Sequence, residues 1–323
     1  MKRMTSPVSL QHEGQMSSDS TTKPLGDVRS SAESTGLPNA AVGGDSVGYV
    51  LIRGMPIHFI SLAETVEHVL DACDAGRGGW IVTPNLDILR RFKRSKTFRN
   101  LVASSSLNVA DGMPLVWASR LAGQPIPGRV NGTDLMVELC NAAAEFDHSV
   151  YFLGGNQGTA DKTAAAMKQQ FPGLQVAGCL CPEFGFESNM DAVKEIQNQI
   201  DAAKPKIVFV GLGSPKQDIL INMLRLNFPD IWWLGVGISF SFICGDLARA
   251  PDWAKNNGCE WAYRLMMEPK RLFKRYLVHG IPFFATTIVA CVYQRFFPKR
   301  QQDERAAVDS SAVACSDLAE NSS

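Results

Sequence analysis

One unit occurs twice in this chain and limits what it can fold into. Residues 150–153 read as a short apolar strand, followed by the turn Gly154-Gly155-Asn156-Gln157-Gly158 and a helix to about Gln170. Phe171-Pro172-Gly173 stops that helix before a new strand at 174–177. Residues 207–210 repeat the plan with Gly211-Leu212-Gly213-Ser214-Pro215, a helix to about Asn227, the stop Phe228-Pro229-Asp230 and a strand over 231–236. A strand, a glycine turn, a helix and a strand in succession predict a parallel sheet with right-handed crossovers. Glycine turns at helix starts present N–H groups that suit phosphate. Glycines also permit tight helix–strand packing, and neither turn reads GxGxxG, so the nicotinamide-dinucleotide fingerprint is absent.

Upstream, residues 49–52 and 57–60 flank Arg53-Gly54-Met55-Pro56, which predicts a hairpin. Ser61 with Glu64 three residues on predicts a capping box opening a helix to about Asp74. Residues 80–82 form a short strand ending in Thr83-Pro84-Asn85, whose polar side chains either cap the helix that starts at Leu86 or face a ligand. A second apolar run ends in Asp111-Gly112, before a helix over 113–121 and a loop closing on Arg129 and the turn Asn131-Gly132-Thr133-Asp134. An acid on a strand end beside a helix start sits where open α/β sheets bind ligands. Its alternative role is to cap that helix.

The 32 Lys and Arg balance the 32 Asp and Glu, which argues against a broad nucleic-acid-binding surface. The eight cysteines include no CxxC pair, and His12, His58, His68, His148 and His279 form no ligand pattern with them, so no metal site is expected. Residues 1–46 read as a disordered polar tail without a signal-peptide core, from which a cytoplasmic location follows. From Glu260 to Tyr276 cations recur among Trp261, Leu265 and Phe273. Residues 276–294 then carry no Asp, Glu, Lys or Arg, but Gly280-Ile281-Pro282 interrupts them, leaving about 16 helical residues, roughly 24 Å and short for a bilayer span. Basic flanks suit a helix held at a membrane surface. The expected division is a tail at 1–46, an α/β core at 47–245, a basic and apolar C-terminal appendage at 246–298 and a disordered tail at 299–323.

Taken in order, Thr83-Pro84-Asn85, Asp111-Gly112, Arg129-Val130-Asn131-Gly132, Phe152-Leu153-Gly154-Gly155, Gly211-Leu212-Gly213-Ser214-Pro215-Lys216-Gln217 and the block from Arg249-Ala250-Pro251 to Tyr276 resemble the WecG/TagA/CpsF family of bacterial glycosyltransferases over about residues 48–280. The resemblance implies an α/β fold with a Rossmann-like parallel-sheet core, an N-terminal hairpin and a C-terminal helical, membrane-associating appendage. It also implies a metal-independent, inverting transfer of a sugar, N-acetylmannosamine-like or another hexose, from a UDP donor to polyprenyl-diphosphate-linked N-acetylglucosamine in cell-surface polysaccharide synthesis. Asp111 is then the expected general base, with Thr83 and Asn85 beside it. Arg129, Asn131, Gly154, Gly155, Gly213 and Gln217 are expected to bind substrate, and Arg264, Arg271, Lys274 and Arg275 the lipid diphosphate. Asp218 departs from the family, many members of which have Glu there. No cofactor is expected. The implied partners are the UDP-sugar, the lipid-linked acceptor and a membrane surface, on the inner face of the plasma membrane; nucleic acid is excluded and self-association stays open. The appendage is expected to act as a hinged lid. Two other classes compete: a Rossmann-type nucleotide-binding oxidoreductase, opposed by the missing fingerprint, and a non-catalytic membrane adaptor, which leaves Thr83, Asn85, Asp111 and Arg129 without a role.

Overall fold

The computed structural model describes residues 47–251, 260–267 and 269–297, so both expected tails lie outside the described residues. A hairpin of β1 (Tyr49–Ile52) and β2 (Met55–His58) leads into α1 (Leu62–Asp74), whose capping box between Ser61 and Glu64 is present. Strands β3 (Gly79–Val82), β4 (Leu107–Asn108), β5 (Ser149–Gly154), β6 (Gln175–Leu180), β7 (Ile207–Gly211) and β8 (Trp232–Gly235) form one sheet in the order β4-β3-β8-β7-β5-β6, with every pairing parallel. The hairpin differs from expectation because its turn is only Arg53-Gly54, at φ 55° and 86°. A two-residue turn with both φ values positive matches the strand twist, so pairing resumes at once with Ile52 opposite Met55.

The central strands alternate between two cores. Val208 and Val210 of β7, with Tyr151 and Leu153 of β5, face one; Ile207, Phe209, Val150 and Phe152 face the other. Both faces are therefore covered, as a parallel sheet requires. The first face carries the hairpin, α2 (Leu86–Arg94), α3 (Lys96–Val102), α4 (Met113–Leu121), α7 (Met190–Ala203) and α8 (Lys216–Leu224). The second carries α1, α5 (Gly132–Glu145), α6 (Thr159–Gln170) and α9 (Ser239–Ile243). Phe152 and Phe209 are fully buried with ring centroids 5.5 Å apart, each contributing about 1.5–3 kcal/mol by burial.

The C-terminal part holds α10 (Glu260–Met267), α11 (Pro269–Phe273) and α12 (Ile281–Phe296). The expected interruption at Gly280-Ile281-Pro282 does not occur. Residues Lys274–Gly280 form a π-helical stretch continuous with α12, giving a 23-residue helix whose most apolar 18-residue window has a mean hydropathy of 1.5, long and apolar enough to cross a membrane. Pro282 falls just after the change from π- to α-helical pairing, where the wider turn accommodates a residue without an N–H. Phe283, Thr287 and Cys291 form the buried stripe of this helix, against α4 and the first core.

Candidate active site

The residues expected for catalysis and for the sugar gather at the carboxyl edge of the sheet. Beyond β4 the chain stays alongside the end of β3, with Val109 N–H donating to Val82 O (3.0 Å) and Asp111 N–H to Pro84 O (2.9 Å). Asp111 does not cap α4. Gly112 occupies that position at φ 115°, without a side-chain cap. Instead Asp111 Oδ1 accepts a 2.9 Å hydrogen bond from Asn131 Nδ2. Asn131 also caps α5, its Oδ1 accepting from Thr133 N–H at 2.9 Å. Because a backbone N–H can bond only to the amide oxygen, the cap turns the NH₂ group toward Asp111. Asn85 caps α2 through Oδ1, which accepts from Asp87 and Ile88 N–H, both at 3.1 Å. Thr83 is buried opposite the start of α5, where a Cβ on Gly132 would lie 3.4 Å from its Oγ1.

The two glycine loops lie side by side. β5 leads outward to β6 and β7 leads back to β8, so the connections diverge between neighbouring strands, the place where open α/β sheets bind ligands. Gly155 N–H is used by Gly211 O at 2.9 Å. A Cβ on Gly154, at φ 105°, would lie 2.9 Å from the Leu212 side chain, and one on Gly211 2.7 Å from Phe240. Close packing thus accounts for Gly154 and Gly211. Gly213 sits at φ 72° with open space around it. Gln217, in the first turn of α8, is buried; its Oε1 accepts from Gly237 N–H at 3.0 Å, and its amide lies where a Cβ on Gly235 would be. Gly235 O lies 4.0 Å from the Cβ position of Gly132, so β8 links Gln217 to the Asp111–Asn131 cluster.

The cations divide. Arg129 Nη1 pairs with Glu260 Oε2 of α10 at 3.0 Å, with both side chains largely buried. Arg275 pairs with Asp87 at 3.2 Å, and Lys274 is exposed. Arg264 and Arg271 belong to α10 and α11, but their side chains lie outside the described residues. Sequence reasoning assigns no site role to four acids near this edge. Glu260 and Asp87 pair as above, and Asp134, in the first turn of α5, pairs with Arg249. Asp218 is buried beside Gln217; burial pushes its carboxyl up to about 6, against the pull of the Ser214 hydroxyl and the Arg91 guanidinium. Asp218 is already visible as a family departure, and Asp87 and Asp134 carry only the ordinary signal of an acid in the first turn of a helix.

The model of the glycosyl transferase WecG/TagA/CpsF family matches residues 50–300. An N-acetylglucosaminyldiphosphoundecaprenol N-acetyl-beta-D-mannosaminyltransferase of Bacillus spizizenii is 31% identical over 231 residues, covering 72% of this chain and 84% of the relative. The enzyme of the same name from Bacillus subtilis is 29% identical over 228 residues, covering 70% of this chain and 86% of the relative. With its parallel sheet, its Asp111–Asn131 pair and a match running through nearly all the described residues, the chain belongs to the WecG/TagA/CpsF family of glycosyl transferases.

Proposed function

We propose that this glycosyltransferase moves a sugar from a UDP-sugar to a hydroxyl of N-acetylglucosamine carried on a polyprenyl diphosphate, at the cytoplasmic face of a membrane and without a metal ion. The names of the two relatives support the acceptor. The observation that carries the chemistry is the Asp111 carboxylate held at the sheet edge by Asn131 at 2.9 Å. A sugar hydroxyl is a weak nucleophile, and a positioned carboxylate can take its proton. The acceptor oxygen then bonds to the anomeric carbon from the face opposite UDP. The bond to UDP breaks, its electrons leave with the diphosphate, and the anomeric centre inverts. Arg129, Gln217 and the loop around Gly213 are the groups assigned to the donor, and preorganised donors of this kind stabilise the leaving charge. Arg129 is already paired with Glu260, so its remaining N–H groups meet the substrate while α10 is held beside it.

The test incubates the protein with a panel of UDP-sugars and a synthetic N-acetylglucosamine-diphosphate-lipid and identifies products by mass spectrometry. Asp111→Asn is expected to lower transfer by about 10²–10⁴-fold while UDP-sugar binding stays nearly intact. Wild-type turnover in that variant would remove Asp111 from the mechanism.

A further inference from the structure

A second feature lies away from the Asp111 cluster. At the far end of α2, nine residues or about 13 Å from its Asn85 cap, a cavity of about 290 Å³ opens between the hairpin turn, α2 and the start of α12. Arg53, Lys93 and Arg94 line it together with His279, and no carboxylate does among the described residues. Phe283 and Pro282 form an apolar wall. The Arg53 guanidinium stands 5.7 Å from the Phe283 ring centroid, and its Nε is buried with no hydrogen-bond partner. Lys93 and Arg94 taken alone have an ordinary explanation, since cations favour the C-terminal end of a helix. That explanation does not reach Arg53, which comes from the hairpin turn and places a third positive charge in the same cavity.

The helix that walls the cavity also carries an exposed apolar track, which begins at Ile281 next to the cavity-lining Pro282. Ile281, Ala285, Val289, Val292 and Phe296 are exposed at intervals of three or four residues, so they share one face of α12, away from the buried Phe283, Thr287 and Cys291. A cationic cavity at the head of an exposed apolar helix face matches an amphiphile with a phosphate head and hydrocarbon tails. A soluble anion would fill the first and leave the second uncovered. We propose that Arg53, Lys93 and Arg94 form a binding site for the phosphate of an anionic membrane phospholipid, with α12 lying in the bilayer surface beside it. The site uses none of the residues assigned to the lipid diphosphate, although Lys274 and Arg275 come one helical turn before its Val278 and His279. It fixes how the protein sits on the membrane.

The experiment sediments the full chain with vesicles of phosphatidylcholine alone and of phosphatidylcholine with phosphatidylglycerol. Lys93 and Arg94 are exposed, so Lys93→Gln/Arg94→Gln is expected to fold, as checked by circular dichroism. Each basic residue near an anionic surface contributes about fivefold, so the pair should weaken binding to the phosphatidylglycerol vesicles about 25-fold. Lys168→Gln/Lys194→Gln removes the same charge from exposed positions on α6 and α7 and should leave vesicle binding unchanged. Equal losses in both double variants, or none in the first, overturn the proposal. So does inorganic phosphate that stabilises the wild type but not Lys93→Gln/Arg94→Gln while both bind vesicles alike, because the site would then take a soluble anion. Transfer to a short-chain, water-soluble acceptor should be unaffected by Lys93→Gln/Arg94→Gln. If no version of the protein transfers sugar, the proposed reaction fails while the vesicle result still decides this site.

Discussion

Asn131 does two things with one amide, and they can be separated. Its oxygen caps α5 and its nitrogen holds Asp111. Serine caps helices about as well as asparagine but has no NH₂ group to extend. Asn131→Ser should therefore melt close to wild type. A hydrogen bond to a charged group contributes about 1.5–3 kcal/mol, so transfer should fall by about tenfold or more, with the fall in kcat rather than in the KM for donor. Steady-state rates at varied UDP-sugar concentration decide it, and unchanged kcat would leave Asn131 only its cap. The sequence makes Asp111 and Asn131 legible singly, each beside a glycine turn. Their hydrogen bond, across 20 positions, follows no local periodicity. The same holds for Arg129 and Glu260, 131 positions apart, so a cation expected in the pocket also pairs with the C-terminal part.

At the scale of elements, the end of β8 decides how the two halves of the site meet. Gly235 has no room for a side chain, since its Cβ would fall 2.3 Å from Gln217 Nε2. Gly235→Ala should push Gln217 off Gly237 N–H at a cost of about 1–3 kcal/mol from overpacking. Truncating Gln217 as well should relieve much of that strain, so Gly235→Ala/Gln217→Ala is expected to be more stable than the two single costs predict. Chemical denaturation of the four proteins measures the coupling, and strict additivity would show that the two residues do not press on each other. The repeated strand–turn–helix unit is legible because its periodicity changes from two to 3.6 within a few residues. β4 is harder to read, because only Leu107–Asn108 pair as a strand and the following residues bond to Val82 at the end of β3 and to Pro84 beyond it. The continuity of the C-terminal helix through Gly280 and Pro282 is illegible for another reason. A π-helical stretch precedes the proline, and no residue pattern distinguishes that from a break.

At the scale of the whole molecule, His58 and Asp218 have pH effects that oppose each other. Burial lowers His58 to about 4, and burial raises Asp218 to about 6. A depressed histidine contributes stability above about pH 6.5 that is lost as pH falls toward 4. A raised aspartate does the reverse, so its cost grows as pH rises from about 4 to 6. Each shift amounts to roughly 3 kcal/mol at most, so the wild type should show little net slope from this pair between pH 4 and 6. Asp218→Asn should be more stable at neutral pH and lose stability more steeply on acidification. Melting curves across that range test this, and parallel profiles for variant and wild type would dismiss it. The last question at this scale is what the C-terminal part does for the rest. All eight described strands and both helical layers precede residue 251, yet Leu272, Phe283 and Cys291 are buried. Removing everything after Ala250 takes away about 1.5–3 kcal/mol for each large apolar side chain lost from the core, against about 5–15 kcal/mol for a typical domain. The truncated protein should fold with a lowered melting temperature. It should still bind UDP, because the paired glycine loops and Gln217 remain. It should neither transfer sugar nor sediment with anionic vesicles, because the cations from Arg264 to Arg275 and the apolar helix are gone. Calorimetry, UDP titration and vesicle sedimentation on the one protein separate these outcomes. A core that cannot fold would make the C-terminal part structural, and one that keeps full transfer would leave it no part in the reaction; either defeats the idea that it closes over the acceptor at the membrane.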